Sequence, residues 1–178
     1  MIFLIGGSSH VGKTLLSQKL MEKLGVPYVS LDHIKMGLVR GGYTSLSAQQ
    51  DAELREFMWP LVCEMIKTAV ENGQNLILEG CYIPGNWSQS FSAEYLKNIR
   101  AVFLVMSEEY IRSHEEDIVR WGDVIECRNY APVDINRLVS CSKMFEEWAR
   151  ENKSPCLRIE TDFSAEELLE KLCMLLGV

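Results

Sequence analysis

The amino-acid sequence predicts an α/β fold: a mainly parallel five-stranded sheet with helices on both faces. Three observations predict it. Short apolar runs such as "IFLI", "LILE" and "AVFLVM" recur along the chain without the polar alternation of a half-exposed strand, as in strands buried on both faces. Stretches of helical periodicity separate these runs, as parallel strands require. The first run also passes through a glycine-containing turn straight into a helix.

The elements follow in order. "IFLI" is the first strand, and Leu16, Leu20 and Leu24 then repeat at four-residue steps in a helix that ends near Gly25-Val26-Pro27. Tyr28–Ser30 is a short second strand, followed by a short helix ending at Gly41-Gly42. "SAQQ" at 47–50 reads as a capping box. It opens a long helix with an apolar stripe of Leu54, Phe57, Met58, Leu61, Val62, Met65, Ile66 and Ala69. Pro60 should kink this helix, and Asn72-Gly73 ends it. "NLILEG" is the third strand and closes on Glu79-Gly80. "YIPGNWSQS" is a loop, and residues 101–106 are the fourth strand. A charged helix starts at Ser107, residues 122–133 lack periodicity, and a further helix runs from about Asp134 to Glu151. "CLRIE" is the fifth strand. Ser164 and Glu167 cap a last helix packed through Leu168, Leu169, Leu172 and Leu176.

The 178 residues suffice for one domain, with a lid segment expected at about 112–133. The net charge of -7, without a basic tail or block, argues against a nucleic-acid surface. No apolar run is long enough to span a membrane, and no basic region precedes the apolar N-terminus, so neither a membrane partner nor a signal peptide is expected. Cys63, Cys81, Cys127, Cys141, Cys156 and Cys173 are scattered, with no C-x-x-C pair and no histidine at a zinc-ligand spacing. They read as reduced thiols of a cytoplasmic protein.

Gly7-Ser8-Ser9-His10-Val11-Gly12-Lys13-Thr14 fits G-x-x-x-x-G-K-[ST] in the strand–turn–helix context that the motif requires. The glycines let the backbone fold around an anion, and the N–H groups at the helix start point at the phosphates. Lys13 would reach the β- and γ-phosphates, and the Thr14 hydroxyl would bind Mg²⁺. His10 falls at a variable position of the loop and reads as pointing to solvent.

Ligands of such sheets bind at the carboxyl ends of the strands. That rule gathers the loop, Asp32, Glu79 and the segment after Met106. Glu79 ends a buried strand, where a carboxylate needs a cation or donors. It is either a water-mediated Mg²⁺ contact or a cap on a neighbouring N–H. Asp32 either orients an acceptor hydroxyl or caps the helix that follows. Lys35 and Arg40 are either an anion site on the acceptor side or solvated surface cations. Arg120 just precedes the aperiodic stretch and Arg128 lies within it, whereas Arg112 is placed to pair with Glu115 or Glu116 on the helix surface. Trp121 and Tyr130 are lid core or a stacking surface for a base.

Three elements, "GGSSHVGKT", "SLDHIKMGLVR" and "LILEG", resemble the small P-loop kinases, a group that includes nucleoside monophosphate, shikimate and gluconate kinases. They are similar in particular to the 2-phosphoglycerate kinase-like proteins. Where adenylate kinases carry a D-G-F-P-R-type motif, this chain has Glu79-Gly80-Cys81-Tyr82-Ile83-Pro84, with no arginine; His33 replaces a second aspartate after Asp32. The resemblance implies a three-layer P-loop NTPase fold, ATP as donor and Mg²⁺ as cofactor. It also implies acceptor binding around Asp32, Lys35 and Arg40, with lid arginines such as Arg120 and Arg128 stabilising the charge that moves.

The expected activity is ATP-dependent phosphoryl transfer to a small, anionic, hydroxyl- or phosphate-bearing metabolite. A nucleoside or nucleotide kinase and a regulatory ATPase without transfer are the alternatives. A GTPase switch is disfavoured: Asn152-Lys153-Ser154-Pro155 lacks the aspartate of N-K-x-D, and no D-x-x-G follows the third strand. The pocket segments 37–47 and 82–91 carry no decodable motif, and the oligomeric state is open.

Overall fold

The computed structural model describes residues 1–122, 133–162 and 164–178. Five strands form one parallel sheet: β1 Ile2–Gly7, β2 Tyr28–Ser30, β3 Leu76–Glu79, β4 Ile99–Met106 and β5 Cys156–Ile159. Their order is β2-β3-β1-β4-β5, and every pairing is parallel. The predicted sheet is therefore observed, with β4 starting two residues before the expected run.

Alternation along the two central strands divides the interior into two cores. Ile2 and Leu4 of β1, with Ala101, Phe103 and Val105 of β4, face one side. Phe3 and Ile5, with Val102, Leu104 and Met106, face the other. On the first side pack α2 (Leu31–Arg40) and α3 (Asp51–Glu71), together with the loop after β3 through Tyr82, Ile83, Trp87 and Phe91. On the second side pack α1 (Lys13–Leu24), α5 (Glu108–Ser113), α6 (Glu115–Trp121) and α8 (Ala165–Leu176). α7 (Ile135–Glu151) serves both cores, the second through Leu138 and Val139 and the first through Phe145 and Ala149. Burying such side chains supplies most of the driving force, at about 1.5–3 kcal/mol for each fully buried large aliphatic or aromatic group.

Several local expectations are refined. α8 carries the predicted capping box, with Ser164 Oγ accepting from the Glu167 N–H and the Glu167 carboxylate accepting from the Ser164 N–H. The box proposed at 47–50 is only half formed. Gln50 Oε1 accepts from the Ser47 N–H, but no side chain caps the helix, which starts at Asp51. A turn in which the Gln50 N–H bonds the Ser47 carbonyl takes up these residues instead. α3 runs on through Pro60. The loop after β3 is more ordered than the sequence suggests, with a 3-10 turn at Trp87–Ser90 and the short helix α4 at Ala93–Leu96. The charged segment after β4 is two short helices, α5 and α6, which meet at His114.

No helix among the described residues is long and apolar enough to cross a membrane. Cys63, Cys81, Cys141, Cys156 and Cys173 are free thiols, and Cys127 lies outside the described residues.

Candidate active site

The site lies at the carboxyl edge of the sheet, around the loop between β1 and α1. The loop is built from backbone shapes that few residues tolerate. Gly7 sits at φ 136°, and a Cβ there would come within 2.1 Å of the Leu104 carbonyl oxygen of β4. Gly12 (φ 83°) turns the chain into α1, and His10 (φ 60°) holds a left-handed conformation despite its side chain. A cradle of this kind turns successive N–H groups inward, and its last residues open a helix whose positive end favours anions.

Lys13 is the first residue of α1 and only 7% exposed. Its Nζ donates to the Ser8 carbonyl at 2.7 Å, which keeps the ammonium within the loop. The Thr14 hydroxyl donates to Glu79 Oε1 at 3.3 Å. Glu79 is 1% exposed at the end of β3, so strand and loop meet on a buried carboxylate. Thr14 and Glu79 form a hard-oxygen pair suited to Mg²⁺, an ion usually held by one or two protein oxygens together with phosphates and water. Among the described residues no group of three or more His, Cys, Asp or Glu could hold a metal. The donor set therefore fits an ion that arrives with a nucleotide rather than one caged by the protein.

Beside the loop lies a second cluster. Asp32 is in the first turn of α2; it does not cap that helix, because Ser30 occupies the cap position. Its carboxylate pairs with Lys35 Nζ at 3.1 Å, and the Lys35 ammonium stands 5.2 Å from the centre of the Tyr82 ring. The Tyr82 hydroxyl donates to Asp51 Oδ1 at 2.8 Å, and Arg137 from α7 reaches Asp51 Oδ2 at 2.9 Å. Arg55, one turn after Asp51, donates through Nε to the Cys81 carbonyl at 3.1 Å. Its guanidinium lies 4.9 Å from the Trp148 ring and 5.7 Å from the Phe145 ring. Each cation–π contact contributes about 0.5–2 kcal/mol, more as it is desolvated.

The electrostatics tie the two halves together. Burial pushes the Cys81 thiol up to about 11; Lys13 and Arg55 oppose that shift, while Asp32 and Asp51 add to it. Lys13 of the glycine loop, Asp32 of α2, and Asp51 and Arg55 of α3 thus all lie within electrostatic range of Cys81. Burial, reinforced by Cys81, Asp32 and Asp51, also drives the Tyr82 phenol far above the usual tyrosine range, so it remains a donor to Asp51.

The sequence-derived candidates separate under this geometry. Lys13, Thr14 and Glu79 converge, and Asp32 and Lys35 stand together beside them. Arg40 does not join them: it is exposed in the last turn of α2, about 12 Å along the helix axis from Asp32. His10 is turned toward α6 rather than to solvent. A Cβ on Gly122 would lie 3.1 Å from His10 Cδ2, so the ring rests against the end of α6. Arg112 pairs with Glu108, one turn before it, and with Asn136, not with Glu115 or Glu116. Arg120 is exposed in the last turn of α6. Arg128 and Tyr130 lie outside the described residues, as does the side chain of Trp121.

Asp51, Arg55, Tyr82 and Arg137 were not singled out from sequence. One signal was available for Arg55. A cation in the second turn of a helix sits at the wrong end of the dipole unless something anionic or π-rich meets it.

A parallel sheet of this order with a glycine loop and lysine after β1 is the fold of the P-loop kinases. It matches, nearly end to end, a gluconokinase from Sinorhizobium meliloti 1021 at 12% identity and TM-score 0.56, covering 98% of this chain and 90% of that one. The deoxyadenosine kinase of M. mycoides matches at 15% identity and TM-score 0.59, with 99% of both chains covered. The shikimate kinase of Aquifex aeolicus matches at 20% identity and TM-score 0.52, covering 99% and 96%. No protein-family model and no curated protein matches the sequence. Likenesses at these identities establish the fold.

Proposed function

We propose that the chain is a cytoplasmic, ATP- and Mg²⁺-dependent phosphotransferase acting on a small acceptor that carries a hydroxyl and an anionic group. The observation that supports this best is the buried Lys13 of the glycine loop, held by the Ser8 carbonyl at 2.7 Å, next to the Thr14–Glu79 pair at 3.3 Å. Two of the acceptor-side cations are already matched: Lys35 by Asp32, and Arg137 by Asp51. Arg55 is held by a carbonyl and two aromatic faces, and it makes no ion pair among the described residues. Its guanidinium is therefore the natural seat for one carboxylate or phosphate of the acceptor.

In this reading the acceptor hydroxyl oxygen forms a bond to the γ-phosphorus, the β–γ bridging bond breaks, and ADP leaves. Asp32 takes the hydroxyl proton. Lys13 and the loop N–H groups face the phosphate oxygens. Thr14 and Glu79 would hold Mg²⁺, which neutralises phosphate charge when bound.

A nucleoside acceptor is the second reading, favoured by the end-to-end match with the M. mycoides deoxyadenosine kinase. ADP release measured over a panel of gluconate, shikimate, phosphoglycerates, other hydroxy acids and deoxynucleosides tests both. Turnover that depends on a hydroxy acid supports the first reading, and turnover that depends on a deoxynucleoside supports the second. ATP hydrolysis indifferent to every acceptor would instead favour a regulatory ATPase.

A further inference from the structure

We propose that Trp148 is a positioning residue for acceptor binding: its indole face holds the Arg55 guanidinium so that the in-plane donors stay open to an anion. This rests on the reading of Arg55 as the acceptor's anion site. The guanidinium is a flat fork whose usefulness depends on orientation, since bidentate binding of a carboxylate requires both terminal nitrogens in one plane with it. Two kinds of contact set that orientation. The Cys81 carbonyl accepts from Nε at 3.1 Å and fixes one edge. The Trp148 ring, 4.9 Å from Cζ, holds the cation through its π face.

The choice of an aromatic partner has a consequence. A carboxylate beside Arg55 would occupy the same N–H groups that an acceptor needs. An aromatic face attracts the cation through its quadrupole and leaves those donors unoccupied. The neighbouring carboxylates are engaged elsewhere, Asp51 with Arg137 and Tyr82, and Asp32 with Lys35.

Trp148 is itself immobilised. Its Cβ lies so near Gly85 that a Cβ at that position would come within 2.5 Å, so the loop after β3 must carry glycine there for the indole to seat. Phe145 meets the indole edge-on, with ring centres 5.2 Å apart and planes at 77°. The fixed loop and the fixed α7 thus hold the indole face on the cation, with the Phe145 ring farther off at 5.7 Å. Ordinary packing of a half-buried tryptophan does not require a cation on its face.

The test uses acetate as the carboxylate probe, titrated into the full chain saturated with Mg²⁺ and ADP. It is read on the side-chain ¹H–¹⁵N signal of Arg55, which is assigned by its loss in Arg55→Lys. Trp148→Met should weaken acetate binding about two- to thirtyfold, the range of a cation–π contact, and Trp148→Phe, which keeps a weaker π face, should fall between Met and the parent. Because Trp148→Met can also loosen packing, tryptophan analogues with one, two and three ring fluorines are placed at 148 alone. They keep the shape and drain the ring's negative face, and the acetate Kd should climb stepwise with fluorine count. A flat fluorine series overturns the positioning role even if Trp148→Met binds poorly. If acetate moves no Arg55 signal in the parent chain, Arg55 is not an anion site, and the reading beneath this one fails instead.

Discussion

The Thr14 hydroxyl donates to Glu79 Oε1 at 3.3 Å, joining the first turn of α1 to the end of β3 on a carboxylate that is 1% exposed. A carboxylate so deep is costly unless it is matched by donors or a cation. Glu79→Gln keeps the shape and removes the charge. It should raise the Mg²⁺ concentration needed for half-maximal turnover about 10–100-fold, as losing a metal-organising partner commonly does. Nucleotide affinity should change less. Metal titrations of the two proteins check this, and curves that overlay within a few-fold would assign Glu79 to structure alone.

Lys13 is 7% exposed and bonded to the Ser8 carbonyl of its own loop at 2.7 Å. In the proposed reaction its ammonium would meet the phosphate charge that moves. Lys13→Ala should lower kcat about 10²–10³-fold, the usual loss when a charge-stabilising group is removed from a transition state. The melting temperature should stay close to that of the parent, since the ammonium bonds a carbonyl of its own loop rather than another element. Single-turnover rates alongside thermal melts measure both. Near-normal turnover would mean that this loop does not carry the chemistry.

The fold and the loop were legible in the sequence because both are written in local patterns. "IFLI" next to G-x-x-x-x-G-K-[ST] fixes strand, turn and helix within a few residues, and Glu79 is marked by ending a buried run. The cluster around Asp51 and Arg55 is different in kind. Asp51 and Arg137 are 86 residues apart in the chain, and Arg55 meets Trp148 across a similar span, so no spacing rule connects them. Arg55 also sits beside Leu54 in an amphipathic stripe, where it reads as an ordinary polar-face residue. His10 was misjudged for the same reason: its neighbour Gly122 is distant in sequence, and only the packed structure brings the ring against α6.

Asp32 and Lys35, paired at 3.1 Å one turn apart on α2, should separate the reactive part of the acceptor from the rest. If Asp32 takes the hydroxyl proton as proposed, Asp32→Asn should abolish transfer while leaving nucleotide binding intact. Lys35→Ala removes the cation that already pairs with Asp32, so it should shift the acceptor's KM by only about a few-fold, less than loss of Arg55 would. Steady-state kinetics with nucleotide and acceptor varied in turn distinguish the two effects. Full transfer by Asp32→Asn would remove it from the chemistry. Equal losses toward both substrates would make the pair a structural brace for α2.

His114 links the helices that follow β4 to the loop that follows β5. Its Nδ1 lies 3.0 Å from the Tyr110 carbonyl, its Nε2 lies 2.8 Å from Asp162 Oδ1, and its ring stacks on Tyr110 with centres 4.1 Å apart. The Tyr110 carbonyl, aided by the Asp162 carboxylate and more weakly by Asp117, raises the imidazole above its ordinary value against the opposing effect of burial. A raised value in the folded chain means that the native state binds this proton more tightly than the unfolded state does. The resulting stability is complete below the unfolded value of about 6.5 and is lost as pH climbs through the folded value. The melting-temperature advantage of the parent chain over His114→Gln should therefore be larger at about pH 5.5 than at about pH 8.5, with added salt shrinking it at the lower pH. Thermal melts of both proteins across that range measure the slope. An advantage that is constant, or that grows toward alkaline pH, would show that the neutral ring is what the Tyr110 carbonyl holds and that the contact with Asp162 carries no charge.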